Sequence, residues 1–458
     1  CQFRHMNYAE ELEAKRIRVE DALRRIGGAE IRVPKIWRAA RIDRYRNKVQ
    51  LPVSDQAIGY YRARTHQVVD IDDCLLQPER ANACRRAVRE WMNVYQVPAY
   101  REKEHKGLIR HLYLRFNQAG EPLCCLVVNG RSVPHGDALV ELLRAADPGL
   151  AGVVLSVNTR RTNVILGDSY VTLWGRDWLE ETLCGMTFRL SVPSFFQINR
   201  AQTERLYAKA LDFAGLTGTE TVLDLYCGIG TISLALAQRA AQVIGAEIVP
   251  QAIEDARANA ARNGVDNVRF LCGDAGQTAA QLAQEGIRPQ VICVDPPRKG
   301  LAPEVPAILA GMAPERIVYV SCDPATLARD VKRLAELGYR TVRAQGVDLF
   351  PRTAHVETVC LLSKLNAKQH IEVEIKMDEL DLTAAESKAT YDEIKEYVLE
   401  KHGLKVSSLY ISQVKRKCGL DVGQNYNLSK KEDAKVPQCP PEKEAAIMEA
   451  LKYFQMIH

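Results

Sequence analysis

From Pro193 onward the chain alternates short apolar runs with helical stretches of about 10 to 15 residues, a rhythm that leaves few folds open. The runs at residues 221–225, 242–247, 268–272, 290–294 and 316–320 are short and nearly continuously apolar. Strands of that kind are buried on both faces, and helices linking parallel strands supply the cover. Helical patterns at 202–214, 230–239, 250–263, 303–312 and 324–337 fall in the gaps, and further strands are expected near Thr341 and Val356. A doubly wound, Rossmann-like α/β domain with a parallel sheet is therefore expected over residues 191–365.

The flanks have other rhythms. A helix at residues 8–25 leads into short alternating runs such as Leu108-Ile109-Arg110-His111-Leu112-Tyr113-Leu114, interrupted by helices at 81–95 and 136–146. Residues 1–190 therefore read as an α+β domain with a mainly antiparallel sheet. Beyond Lys364 come an acidic stretch (372–381), a helix (384–402), the basic run Gln413-Val414-Lys415-Arg416-Lys417 and a proline-bearing loop before a last helix (442–454). Residues 366–458 read as a small helical appendage, and no internal repeat is present.

Composition narrows the class. With 47% apolar and 26% charged residues in 458, the chain is an ordinary soluble one that can bury several cores. No window approaches the roughly 18 apolar residues of a membrane span, and the charged start lacks a signal peptide's apolar core, so a cytoplasmic location and no membrane partner are expected. The 13 cysteines are scattered, which favours reduced thiols, catalysis or a metal over a disulfide framework. The net charge of +5 permits nucleic-acid binding. Arg32, Lys35, Arg38, Arg41, Arg44, Arg46 and Lys48, interleaved with Trp37 and Tyr45, are the expected phosphate contacts. The chain opens on Cys1 without a methionine, and a truncated start is expected.

Chemistry concentrates at the strand ends. Asp224-Leu225-Tyr226-Cys227-Gly228-Ile229-Gly230-Thr231 follows a strand and opens a helix, so its glycines let backbone approach a ligand. Glu247 ends the next strand, where such folds bind ribose hydroxyls, and Asp274 closes a third, placed for an adenine amino group. Glycine turn, acid and acid at successive strand ends read as an S-adenosylmethionine site. Asp295-Pro296-Pro297-Arg298-Lys299-Gly300 then presents a rigid turn. Enzymes that methylate amino groups of bases often carry an aromatic residue after such prolines. Arg298 implies a different base chemistry.

In Val320-Ser321-Cys322-Asp323-Pro324 a cysteine stands where a strand stops and a proline-led helix starts. A helix N-terminus lowers a thiol pKa, so Cys322 is expected to favour thiolate. Glu357 is a lone carboxylate on the next strand-like segment. Nucleophile and base thus follow the cofactor site, an order suited to covalent catalysis with later proton removal.

Together Phe195-Phe196-Gln197-Ile198-Asn199, Asp224 to Gly230, Asp295 to Gly300, Ser321-Cys322-Asp323-Pro324 and His355-Val356-Glu357-Thr358-Val359 resemble the RNA uracil-5-methyltransferase family, most closely its bacterial 23S rRNA members. The resemblance implies S-adenosylmethionine-dependent methylation of uridine C5 in 23S rRNA by a monomer, with Cys322 adding to C6 and Glu357 removing the C5 proton. It assigns Gln197, Tyr226, Glu247 and Asp295 to the cofactor, with Asp274 at adenine; Gly228 joins them as a glycine of the turn, and Thr231 stands where many relatives carry Asn. The ribosomal branch also holds a 4Fe-4S cluster on four cysteines, and Cys1 and Cys74 fall on two of those positions. Cys84, Cys124, Cys125, Cys184 and Cys227 read as packing residues.

Three rivals stand beside this reading. A tRNA uracil-5-methyltransferase would carry the same motifs. An RNA cytosine-5 methyltransferase also uses a thiolate, but usually directly after a proline on the fourth strand, where this chain has Pro296-Pro297-Arg298. A non-catalytic RNA-binding or assembly factor would have no need to keep Cys322, Glu357 and the acidic strand ends together.

Overall fold

The computed structural model describes residues 1–365, 391–418, 438–454 and 456–457. After α1 (Tyr8–Arg25), the chain forms β1 (Lys48–Pro52), β2 (Gly59–Tyr61), β3 (Val68–Asp70), α2 (Glu79–Val94), β4 (Ile109–Phe116), β5 (Pro122–Val128), α3 (Gly136–Ala146), β6 (Gly152–Val157) and β7 (Ser169–Gly175). Five of these strands make a sheet of order β1-β4-β5-β6-β7 in which only β5 and β6 run parallel. Leu112, Leu114, Cys124, Leu126, Val153 and Leu155 point to one face, where Cys84, Val88 and Trp91 of α2 and Leu139 and Leu143 of α3 cover them. The hairpin β8 (Trp178–Leu183) and β9 (Met186–Ser191) follows.

The second sheet uses α4 (Arg200–Ala214), β10 (Thr221–Leu225), α5 (Thr231–Ala237), β11 (Gln242–Glu247), α6 (Pro250–Arg262), β12 (Val268–Cys272), α7 (Ala275–Gln284), β13 (Val291–Val294), α8 (Val305–Gly311), β14 (Arg316–Ser321), α9 (Pro324–Glu336), β15 (Tyr339–Val347) and β16 (Glu357–Lys364). Its order is β12-β11-β10-β13-β14-β16-β15. Alternation sorts the strand residues between two cores. Val222, Val243, Val291, Cys293, Val318 and Val320 pack with residues of α4, α5 and α6, whereas Leu223, Leu225, Ile244, Ile292, Ile317 and Tyr319 pack with α7, α8, α9 and α1. Val19 and Leu23 of α1 belong to that second core, so the helix that the sequence division groups with residues 1–190 covers the seven-stranded sheet.

Two features differ from expectation. The sheet is not wholly parallel: β16 lies between β14 and β15 and runs against both. Helix α7 was not anticipated, because Gly276 and Thr278 weaken its local helical signal; Asp274 starts it by accepting from the N–H groups of Gly276 and Gln277.

Contacts gather Cys1–Gln369 into one compact unit and His370–His458 into a second. In the second, α10 (Tyr391–His402), α11 (Ser408–Lys417) and α12 (Pro441–Tyr453) bury Ile394, Val398, Ile411, Val414, Ile447 and Leu451 together. The acidic stretch 372–381 and the first residues of the helix expected at 384–402 lie outside the described residues. Among the described residues no helix is long and apolar enough to cross a membrane.

Candidate active site

The sheet order reverses between β10 and β13, and ligands in open α/β sheets bind outside the carboxyl ends of the strands at that point. Tyr226 follows β10, Glu247 ends β11, Asp274 follows β12, Asp295 follows β13 and Cys322 follows β14. Glu357 reaches the same edge by the opposite route, as the first residue of the reversed strand β16. A cavity of about 570 Å³ opens there, lined by all nine sequence-predicted catalytic and cofactor residues: Gln197, Tyr226, Gly228, Thr231, Glu247, Asp274, Asp295, Cys322 and Glu357. That volume suits a nucleoside-sized ligand.

The turn after β10 is shaped for close approach. Tyr226, Gly228 and Gly230 have φ of +67°, +55° and +84°, in the left-handed region that favours glycine. A Cβ on Gly230 would lie 3.0 Å from the Phe270 ring. The Glu247 carboxylate accepts from the N–H of Gly228 at 3.2 Å and of Val249 at 3.0 Å, bracing the turn against β11. Behind it Asp224 is fully buried; Ser233 donates to Oδ2, while Oδ1 has no hydrogen-bond partner. Burial, opposed by the Ser233 bond and aided by the nearby Asp295 and Glu247 charges, raises Asp224 to about 7. This acid-lined glycine cradle fits S-adenosylmethionine, a cation with hydroxyl and amino donors.

Other side chains hold the walls. Thr231 Oγ1 lies 2.9 Å from the Tyr207 hydroxyl, so that hydroxyl already has a protein partner. Asn199 caps α4 and donates from Nδ2 to Leu349 O at 3.1 Å; Gln202 Nε2 donates to Asp348 O at the same distance. These bonds tie the Gln197 segment to the loop that brings Phe350 into the cavity.

At the reacting end, burial, then Asp295, push Glu357 well above the usual carboxylate range, opposed by Arg298. Burial raises Asp295 to about 7. Cys322 is pushed up to about 11, by burial first and the Glu357 charge second, again opposed by Arg298. Burial and the Glu357 charge thus outweigh the thiolate-favouring effect expected of the helix N-terminus. The Asp323 carboxylate caps α9 by accepting from Ala325 N and Thr326 N, so the positive end of that helix already has an anionic partner. Arg298 is the cation left to favour the anion, and it also reaches the His355 ring at 3.4 Å. In the sequence Arg298 points only to a base chemistry other than amino-group methylation; Tyr207 and Phe350, both lining the cavity, carry no sequence signal.

The proposed metal ligands do not assemble. Cys1 is exposed and Cys74 packs beside Tyr45, Leu76 and Ile198. Among the described residues no group of three or more His, Cys, Asp or Glu side chains could hold a metal, so the residues present do not fit a four-cysteine cluster. The basic stretch is also divided: Arg44 turns inward to Asp73 and the carbonyls of Cys74 and Gln77, whereas Arg32, Lys35, Arg38 and Arg41 are exposed.

Known proteins resemble this chain in sequence and in fold. The family model for tRNA (Uracil-5-)-methyltransferase matches residues 144–365. A Clostridium tetani protein described as an uncharacterized RNA methyltransferase is 44% identical over 374 residues, covering 81% of each chain. One from Caldanaerobacter subterraneus, similarly described, is 43% identical, covering 80% of this chain and 82% of its own. The crystal structure of Pyrococcus abyssi tRNA (uracil-54, C5)-methyltransferase in complex with S-adenosyl-L-homocysteine is similar with a TM-score of 0.66 at 30% identity, over 79% of this chain and 84% of that one. The chain therefore belongs to the RNA uracil-5-methyltransferase family and is an S-adenosylmethionine-dependent RNA methyltransferase.

Proposed function

We propose that the protein methylates C5 of a uridine in 23S rRNA through a covalent adduct between Cys322 and C6. The observation that carries this reading is the convergence of Cys322 and Glu357 in the cavity that also holds the glycine turn and Asp295.

S-adenosylmethionine, when bound, supplies an activated methyl group; Gly228, Glu247, Asp274, Thr231, Tyr226 and Gln197 are the residues to hold it. Uracil C5 is a weak nucleophile, and the chain's own residues change that. Cys322 Sγ bonds to C6, and the electrons of the C5–C6 double bond move toward O4, making C5 reactive. Arg298 offsets the negative charge that the thiolate brings into a site already holding Asp295 and Glu357. Once C5 carries the methyl group, Glu357 takes the C5 proton; the double bond re-forms and the S–C6 bond breaks. For that step Glu357 must enter ionised, and Arg298 is the group that draws it toward the anion.

The target base must leave its stack to reach Cys322. RNA carrying 5-fluorouridine lacks the C5 proton, so a working site stalls as a cofactor-dependent covalent complex. No complex with any 5-fluorouridine RNA would overturn the proposal. The resemblance to 23S rRNA enzymes names rRNA as substrate, and the similarity to the P. abyssi tRNA enzyme makes tRNA the second reading. Methylation assays on 23S rRNA and tRNA transcripts decide between them.

A further inference from the structure

We propose that a second cavity, at the outer edge of the seven-stranded sheet, grips backbone phosphates of the RNA whose uridine enters the catalytic cavity. This rests on the reading of the chain as an RNA methyltransferase. The cavity measures about 500 Å³ and is lined by Arg32, Lys209, Phe213, Arg343 and Gln345 among others, and it shares no lining residue with the catalytic one.

Edge strand β15 forms its floor. An extended segment lies along that strand: Trp37 N donates to Gly346 O at 2.9 Å, Asp348 N to Trp37 O at 3.0 Å, and Gln345 Nε2 to Lys35 O at 3.0 Å. Val33 and Ile36 are thereby buried, and Arg32 and Arg38 are left exposed. From α4, Lys209 Nζ stands 4.8 Å from the Trp37 ring centroid and 5.4 Å from that of Phe213, while Arg205 lies 5.1 Å from Trp37. Arg343 lies 4.7 Å from Phe213. Two aromatic rings thus hold three long cations in place, which reduces the ordering entropy that a ligand must otherwise supply.

Asp212 answers Lys209 at 2.8 Å and Arg343 at 4.0 Å. Set against it, Arg32, Arg38, Arg205, Lys209 and Arg343 leave a positive excess. Guanidinium forks with a neighbouring ammonium suit phosphate oxygens, and a phosphodiester chain presents these at regular intervals. The position suits a flanking strand. Val342 lines this cavity, and five residues on, Val347 precedes the loop that brings Phe350 to the catalytic cavity; at about 3.3 Å per strand residue that span is about 17 Å. About five stacked nucleotides cover it, at ~3.4 Å each. Charged residues on an edge strand also serve to prevent edge pairing, an account that requires no RNA contact.

The test uses the full chain with Arg32→Gln, Lys209→Gln and Arg343→Gln combined, and a charge-matched control with Arg24→Gln, Arg25→Gln and Arg239→Gln. Binding of a fluorescein-labelled 20-nucleotide oligouridine is followed by anisotropy from 50 to 300 mM KCl, and S-adenosylmethionine binding by calorimetry reports folding. The groove variant should bind oligouridine about tenfold more weakly, with a log Kd against log salt slope shallower by about two, at about 0.7 per phosphate contact for single strands. The control should keep the wild-type slope. A groove variant with unchanged cofactor binding and unchanged slope overturns the proposal and leaves edge protection. The assay involves no catalysis, so failure of the groove and failure of the methylation reading are read separately.

Discussion

Cys322 and Glu357 reach one cavity because β16 runs against β14: Ser321 is the register partner of Thr358, and the next residues outward on the two strands are Cys322 and Glu357. Val347 pairs with Glu357 from the other side, so the carboxylate is fixed by strands on both flanks. A parallel strand in the same place would deliver its last residue, not its first, to this edge.

Changing Cys322 to Ala should abolish methylation and leave S-adenosylmethionine binding nearly intact. The thiol acts on the base, and loss of a covalent catalyst should lower turnover below about a thousandth of wild type. Single-turnover methylation of transcript RNA beside cofactor calorimetry checks both halves. Turnover above that level would remove Cys322 from the nucleophile's role.

Changing Glu357 to Gln should separate two steps. Addition and methyl transfer remain possible, but proton removal does not, so a methylated covalent enzyme–RNA complex should accumulate and be visible on a denaturing gel. Normal product release at the wild-type rate would pass the base role to another group, with His355 the first neighbour to examine.

The pH dependence follows from the raised thiol. With Cys322 pushed up to about 11, thiolate is a minor species at neutral pH, and kcat/KM should rise with pH by up to about tenfold per unit until other groups intervene. Arg298 opposes that rise in pKa, so Arg298→Met should move the limb to higher pH. Rates of adduct formation with 5-fluorouridine RNA across pH 6.5 to 9.5 test it; an unmoved limb would separate Arg298 from the thiol.

Much of this site was legible because each motif sits where a strand ends, and strand ends follow from hydrophobic runs punctuated by Gly and Pro. Local pattern gives a strand but not its direction. The reversal of β16 was therefore hidden, although it is what brings Glu357 to the carboxyl edge. The direction of the Cys322 shift is not legible locally, because burial and the Glu357 charge, which outweigh the helix N-terminus, come from tertiary neighbours. Arg44 falls among the expected phosphate contacts because composition cannot tell a side chain facing Asp73 from one facing solvent. Tyr207 lies on a helix whose buried face looks like any other, and only its tertiary neighbours place it in the cavity.

Asp224 should make stability fall with pH. Its folded value of about 7 lies above the ordinary carboxylate range because of burial, so the folded state holds a proton that the unfolded chain releases. Its contribution is full below the unfolded value and is lost as pH rises through about 7. Asp224→Asn keeps an acceptor for Ser233 without a charge to bury. The variant should gain Tm relative to wild type between pH 5.5 and pH 8, and a constant difference in thermal unfolding across that range would contradict the shift.

The N-terminal helix is coupled to the reacting end through Lys15. Its ammonium, with a fully buried side chain, lies 2.8 Å from Glu11, 2.6 Å from Asp348 and 3.2 Å from Phe350 O. Tyr8 adds a bond to the other Asp348 oxygen at 2.8 Å, and Arg352 N donates to Glu11 at 2.7 Å. The loop so held begins one residue after Val347, the partner of Glu357, and contributes Phe350 to the cavity. Lys15→Met takes the ammonium from two buried carboxylates, leaving Glu11 with Arg352 and Asp348 with the Tyr8 hydroxyl, and breaking a buried pair costs about 3 to 5 kcal/mol. Denaturant unfolding should show that loss, and Lys15→Met with Asp348→Asn should recover part of it, because the side chain left without a cation is then neutral. If the fold survives at low temperature, the Lys15→Met protein should build up the same methylated adduct as Glu357→Gln, since a displaced loop disturbs the flank of Glu357 more directly than the end of β14. Equal slowing of adduct formation and adduct release would reduce the role of Lys15 to stability alone.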